Sequence, residues 1–347
     1  MSIETTSKAA PDGSAPRVAG RFLTDHRITQ LDWWGGAFDV LSAPKGSGPA
    51  ASLALAVRTI WTSMGYDVFL SANVRNAMVL GLFKRLTGRR RPVLMMTEMR
   101  LDDPMPGLRW RVKVRLQRFA YAAADVMCVS SRREAGIYAS RLNVPPERFR
   151  FVPWHTNVLE PRFANAVEPY FFAAGRTGRD WTTLAEAVRG LGVPVTVVCS
   201  AGDTAKVDFP DNVTVLTDIP YARYRTLLEG AKAVIVPLEQ HTYSSGQVVI
   251  LEAMALGKAV VAARVLGTED YIEDGIDGIL VEPGNAASLR SAVTRLATSQ
   301  ELADQLGRTA LAKVLETHTL AQYALRLVEV ANDQLTSTRR PSSDGRN

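Results

Sequence analysis

The sequence predicts an α/β chain of two Rossmann-like domains, each with a parallel sheet, facing one another. Three observations carry this. Short runs that are apolar at nearly every position alternate with longer helix-like stretches over most of the chain; strands without a polar face belong to parallel sheets covered by helices on both sides. The alternation lapses across Trp154–Pro169, which has two prolines and no periodicity, and then restarts. At 347 residues the chain has the length of about two ordinary domains, and 46% hydrophobic against 22% charged residues excludes a disordered polymer.

In the first half the predicted strands are Tyr66–Ala72, Arg91–Met96, Asp125–Ser130 and Phe149–Pro153. In the second they are Tyr170–Gly175, Val193–Ser200, Asn212–Thr217, Ala233–Leu238, Lys258–Ala263 and Gly278–Val281. Helices with suitable lengths and stop signals are expected at Arg179–Gly190, Tyr221–Gly230 and Gly246–Leu256. The segment Leu108–Leu116 alternates with period two and scores as a strand on pattern alone, whereas Arg118–Ala124 looks helical. Residues 1–16 read as a disordered tail and 17–160 as the N-terminal domain. Residues 161–320 read as the C-terminal domain, 321–335 as a helix able to cross back to the first domain, and 336–347 as a second tail.

Several classes are excluded or disfavoured. Cys128 and Cys199 lie inside apolar runs and are expected to be buried, reduced thiols. No cysteines and histidines have ligand spacing, so no metal site is expected. No apolar run reaches the roughly 18 residues that span a bilayer, and the polar N-terminus lacks the core of a secretory signal, so a cytoplasmic protein is expected. The net charge is +6, yet residues 84–118 alone hold eleven basic and three acidic residues. Such a region suits an anionic membrane surface, nucleic acid or a phosphorylated ligand, or is simply a solvated basic face.

Two stretches carry the chemistry. Ser244-Ser-Gly-Gln-Val-Val-Ile-Leu-Glu-Ala-Met-Ala-Leu-Gly257 follows the strand Ala233–Leu238. Ser245 can cap the helix and Gly257 can stop it. This sets a helix N-terminus at the carboxyl end of a strand, where open parallel sheets bind ligands and anions are favoured. Glu252 shares the apolar side of that helix with Val248, Val249, Ala255 and Leu256. A buried carboxylate needs partners; the two hydroxyls of a ribose would serve, as would an arginine or a backbone amide. The second stretch, Gly175-Arg-Thr-Gly-Arg-Asp-Trp181, puts Arg176 and Arg179 in a glycine-containing turn after a strand. Arginine suits bidentate phosphate recognition; the alternative is a surface pair of Arg179 with Asp180 or Glu186.

Taken in order, these stretches and Gly267–Leu289 resemble the nucleotide-binding domain of retaining GT-B glycosyltransferases of the family-4 group (glycosyl transferases group 1). The resemblance is specific from Tyr170 to Leu289, weaker from Tyr66 to Pro153 and very weak before that, and it implies that Leu108–Ala124 as a whole is a basic helix. It implies the GT-B architecture, with a nucleotide-sugar donor, UDP- or GDP-linked, held mainly by the C-terminal domain. It implies that Glu252, the second glutamate of an E-x7-E motif, holds the ribose, and that Arg176 and Arg179 neutralise the diphosphate. Gly175, Ser244, Ser245, Gly246, Gln247 and Val248 complete the donor site. The first glutamate of the motif is absent: Ser244 stands there, so the loop must read the sugar differently. Glu98 falls near the family's N-domain histidine and could orient the acceptor hydroxyl. His155 and Asp270 are cleft candidates, and Gly46–Ala51 and Trp33–Gly36 are weak candidates for the N-terminal glycine-rich loop.

The implied reaction is metal-independent transfer of a sugar to an acceptor hydroxyl with retention, the leaving phosphate helping to deprotonate the acceptor. No D-x-D motif is present. The nucleotide sugar is the substrate, so no cofactor is expected, and neither is nucleic acid. The acceptor, a cell-envelope lipid or polysaccharide or a small natural product, is not readable. The basic region 84–118 fits peripheral contact with the inner face of a membrane. The alternatives are a nucleotide-sugar epimerase or hydrolase, and a non-catalytic GT-B subunit that binds nucleotide sugar.

Overall fold

The computed structural model describes residues 16–25, 31, 34–41, 49–166, 168–204 and 207–339. Residues 1–15 and 340–347, Trp33 and the Gly46–Gly48 candidate lie outside them. The chain forms two compact units, Met1–Val152 with Ala321–Asn347, and Pro153–Leu320.

Unit 1 runs β1 (Phe22–Thr24), a helical turn α1 (Trp34–Ala37), β2 (Asp39–Val40), α2 (Pro49–Ser63), β3 (Val68–Ser71), α3 (Val74–Thr87), β4 (Val93–Met96), α4 (Leu108–Tyr121), β5 (Val126–Val129), α5 (Arg132–Leu142) and β6 (Phe149–Phe151). Its six strands are all parallel, in the order β2-β1-β3-β4-β5-β6. Strands β3, β4 and β5 are buried at every residue, as expected of strands covered on both faces. The sequence gives no sign of β1 and β2, which at three and two residues are too short to show a period. Trp34 is buried and stacks on Phe38, so this part of the Trp33–Gly36 candidate is core packing.

The period-two segment Leu108–Leu116 is helix, within α4. Alternate residues lie 200° apart on a helix, so the pattern splits into two opposite faces. Trp110 and Val114 turn inward with buried Tyr121, while Leu108, Val112 and Leu116 turn out to solvent.

Unit 2 runs β7 (Phe171–Ala174), α6 (Trp181–Val188), β8 (Val195–Cys199), β9 (Val213–Thr217), α7 (Tyr221–Gly230), β10 (Ala233–Val236), α8 (Gln247–Ala255), β11 (Ala259–Ala263), β12 (Ile279–Val281), α9 (Ala286–Thr298) and α10 (Gln300–Thr317). Its parallel sheet has the order β12-β11-β10-β7-β8-β9. Side chains alternate between two cores: Phe172, Val234 and Val260 pack with α8, and Phe171, Ile235 and Val261 pack with α6 and α9.

The final helix α11 (Leu320–Arg339) packs with unit 1, where Asn332 accepts from the Ala19 amide and donates to the Arg17 carbonyl. Two boundaries are corrected. The chain changes unit at Val152/Pro153 rather than at 160/161, because Trp154 donates its amide to the Tyr271 hydroxyl and Val158 joins the core of unit 2. Residues 336–339 are not tail but the last turn of α11, in which the Thr336 and Thr338 hydroxyls donate to helix carbonyls.

Candidate functional site

The sheet of unit 2 reverses its strand order between β7 and β10, and helices emerge there toward opposite faces. Ligands of open parallel sheets bind outside the carboxyl ends of the strands at such a point. A cavity of about 370 Å³ lies there, walled by Ala174–Arg176 after β7, Val198–Cys199 at the end of β8, Asp218–Ile219 after β9, Tyr221 and Tyr224 of α7, Val248, Val249 and Glu252 of α8, and Asn157.

Glu252 is 1% exposed and belongs to the cavity wall. Its Oε1 accepts from Asn157 Nδ2 at 3.1 Å and from the Tyr221 hydroxyl at 3.0 Å, and its Oε2 accepts from the Tyr224 hydroxyl at 2.6 Å. Neither an arginine nor a backbone amide satisfies it among the described residues. The two tyrosine rings stack 5.6 Å apart. Burial, and then the Glu252 charge, push both phenols above their usual range.

Gly175 has φ +138°, and a methyl group there would fall 2.2 Å from the Arg179 guanidinium, so this close approach needs glycine. Arg179 donates to the Ala174 carbonyl at 2.9 Å and to the Thr177 carbonyl at 2.8 Å. Burial lowers its pKa to about 10, and no carboxylate pairs with it among the described residues. The surface pairing with Asp180 or Glu186 is therefore overturned: Asp180 instead caps α6 by accepting from the Thr183 amide. Arg176 is exposed at the cavity, 4.0 Å from Asp218 Oδ1.

The loop before α8 differs in detail from expectation. The helix is capped by Gly246, not Ser245; at φ +89° its backbone is left-handed, and a Cβ there would meet Leu238 at 2.9 Å. Ser244, Ser245, Gly246 and Gln247 do not line the cavity, although Val248 does. Gln247 is buried beside Gly267 and Ser244, and its Nε2 finds no hydrogen-bond partner among the described residues.

The remaining candidates are dispersed. His155 does not line the cavity: it is buried, stacked on Trp154 with Nδ1 on the Thr156 carbonyl, and burial lowers its pKa. Asp270 is half-buried in the turn after β11, also outside the cavity wall. Glu98 belongs to unit 1, beyond the carboxyl end of β4, where burial and then the nearby Asp25 raise its pKa to about 7. Asp25 is itself tied down by the Ser71 hydroxyl, the Ala72 amide and the Asn76 side chain. Asn157, Tyr221, Tyr224 and Asp25 were not foreseen; the one usable signal was two tyrosines three apart on α7, a helix leading from a strand end.

Two parallel six-stranded sheets with this strand-edge cavity define the GT-B fold. Residues 181–299, within the second unit, match the family model of glycosyl transferases group 1. A stretch of 100 residues is 30% identical to alpha-D-kanosaminyltransferase of Streptomyces kanamyceticus, covering 29% of this chain and only 25% of that protein. The fold is similar to sucrose-phosphate synthase from Thermosynechococcus elongatus, with a TM-score of 0.68 at 16% identity over 90% of this chain and 85% of that one. It is also similar to Alr3699/HepE of Anabaena in complex with UDP-glucose, with a TM-score of 0.60 at 15% identity over 91% and 90% of the two chains.

Proposed function

We propose that the protein is a retaining glycosyltransferase that moves a sugar from a nucleoside diphosphate sugar to an acceptor hydroxyl. The observation that carries this is Glu252: a buried carboxylate with no cation beside it among the described residues, in the wall of a cavity that Arg176 also lines. The ribose diol would bind at Glu252 and the diphosphate between Arg176, Arg179 and the N-terminus of α8. Negative charge builds on the leaving diphosphate as the glycosidic bond breaks, and prepositioned cations lower that barrier. On this reading charge neutralisation falls to the arginines and the helix, with no metal required. The acceptor is assigned to unit 1, with Glu98 orienting its hydroxyl.

UDP is the favoured nucleotide, since the similar HepE fold binds UDP-glucose; GDP is the alternative. Thermal denaturation with each nucleotide tests this. Saturation at about 100 times Kd adds about 2.7 kcal/mol, a shift of several degrees for UDP. No shift with either nucleotide would remove the donor site. Ser244, standing where the family's sugar-contacting glutamate is expected, favours one second reading: a nucleotide-sugar-binding subunit without turnover. Release of UDP from UDP-sugars in the presence of acceptors separates the two.

A further inference from the structure

The outer helical layer of unit 1 has a composition that neither its core nor the donor site uses. The crossovers β2→β3→β4→β5 advance one way along the sheet, so right-handed connections put α2, α3 and α4 on one face, and α3 packs against both neighbours. Together these three helices hold nine lysines and arginines and not one aspartate or glutamate. Lys84 is used internally, buried on Asp125 and two backbone carbonyls, while Lys113 pairs with Asp102 at 2.9 Å and Arg118 donates to the Arg141 carbonyl. Along α4, Leu108 (74% exposed), Val112 (56%), Leu116 (45%) and Phe119 (41%) form one line facing away from the protein. Exposed Arg109 borders this line on one side, and exposed Arg111 and Arg115 border it on the other. Trp61 on α2, 76% exposed, adds an aromatic ring to the same layer.

We infer that this face lies on an anionic lipid surface. A helix row of large apolar side chains flanked by arginines suits the boundary between headgroups and acyl chains: the apolar row enters while the guanidinium groups stay at phosphate depth. Nucleic acid offers nothing to four aliphatic and aromatic side chains, since its interfaces are polar as well as basic. These helices carry no carboxylate of their own, and the pair that Lys113 makes with Asp102 leaves Arg109, Arg111 and Arg115 beside the apolar row. The inference does not depend on the donor reading.

The test is co-sedimentation of the full chain with vesicles of phosphatidylcholine alone and with about one third phosphatidylglycerol. The protein should pellet with the anionic vesicles only, and less as salt is raised. Each arginine near such a surface accounts for about fivefold in partitioning, so Arg111→Gln with Arg115→Gln should weaken binding about 30-fold. Val112→Ser with Leu116→Ser should weaken it at least about tenfold. These side chains are exposed, and an unchanged circular dichroism spectrum shows that the variants fold. Failure to pellet with anionic vesicles at low salt, or pelleting that both double variants leave unchanged, overturns the inference. So does sedimentation velocity showing a lipid-free dimer that the apolar variant dissolves, which would make this face a contact between copies.

Discussion

Replacing Glu252 with glutamine removes the charge and keeps the shape. In the folded chain the carboxylate accepts three hydrogen bonds, the tightest from Tyr224 at 2.6 Å. The amide oxygen can still serve two donors, but the amide nitrogen cannot accept from the third. Tyr224 must reverse its hydroxyl or leave a buried donor unpaired, which costs about 1–3 kcal/mol. At about 2–4 °C per kcal/mol for a unit of this size, the ligand-free melting temperature should drop by several degrees. The effect on nucleotide is separate. A ribose diol held by an ionised carboxylate gains about 1.5–3 kcal/mol, so Glu252→Gln should weaken UDP binding about 10- to 150-fold by calorimetry. UDP lacking its 2′- or 3′-hydroxyl gives the cross-check. The deoxy analogue should bind the unaltered protein more weakly but lose little further affinity on the variant, because the two changes delete one interaction. UDP affinity unchanged in Glu252→Gln, or an undiminished penalty for the deoxy analogue on that variant, refutes the ribose assignment.

Three further outcomes are expected. Arg176→Ala should lower donor turnover about 10²–10³-fold while leaving the melting temperature unchanged, because the side chain is exposed; normal turnover removes it from the site. Arg179→Met should change the ligand-free melting temperature little, since the half-buried cation it deletes has no carboxylate partner among the described residues and holds only two backbone carbonyls, yet it should abolish the UDP-induced thermal shift. Glu98 is raised from its ordinary value of 4.5 to about 7, so the folded state keeps a proton that the unfolded chain releases. Stability should therefore fall as pH rises from about 4.5 to about 7 and level off above, and Glu98→Gln should flatten that slope in pH-dependent thermal denaturation. If the ionised form orients the acceptor, turnover rises through the same region in the unaltered protein only.

The elements built on a repeating signal were legible. All ten predicted strands stand where the apolar runs put them; seven are buried at every residue, the pattern that burial on both sides leaves, and β6, β8 and β9 toward the sheet edges are only partly covered. The helix leading to Glu252 was readable from its length, its stop at Gly257 and the strand that follows. Position 252 stood out because a carboxylate on an apolar face conflicts with its surroundings. The residues that resolve the conflict did not stand out. Asn157, Tyr221 and Tyr224 are polar groups in exposed-looking sequence, and only tertiary packing brings them to one carboxylate. The α4 segment was legible as a helix only through the family resemblance, because its alternation has the period of a strand, while a helix turns the same residues into two opposed apolar faces.

The charges of the second unit argue for a ligand more strongly than any motif does. Glu252 is buried and Arg179 half-buried, the two are opposite in sign, and Tyr224 feels the field of both. A chain selected for stability alone would join them, since a cation held only by carbonyls and a carboxylate held only by neutral donors each forgo a counter-charge. On the proposed reading, keeping them apart leaves one end ready for an anion and the other for hydroxyl groups, with Arg176 in the cavity wall and Arg179 behind it, outside that wall. A nucleoside diphosphate presents those two chemistries on one molecule, with the diphosphate next to the ribose. The glycine at 175 serves the same arrangement, because any side chain there would displace the Arg179 guanidinium.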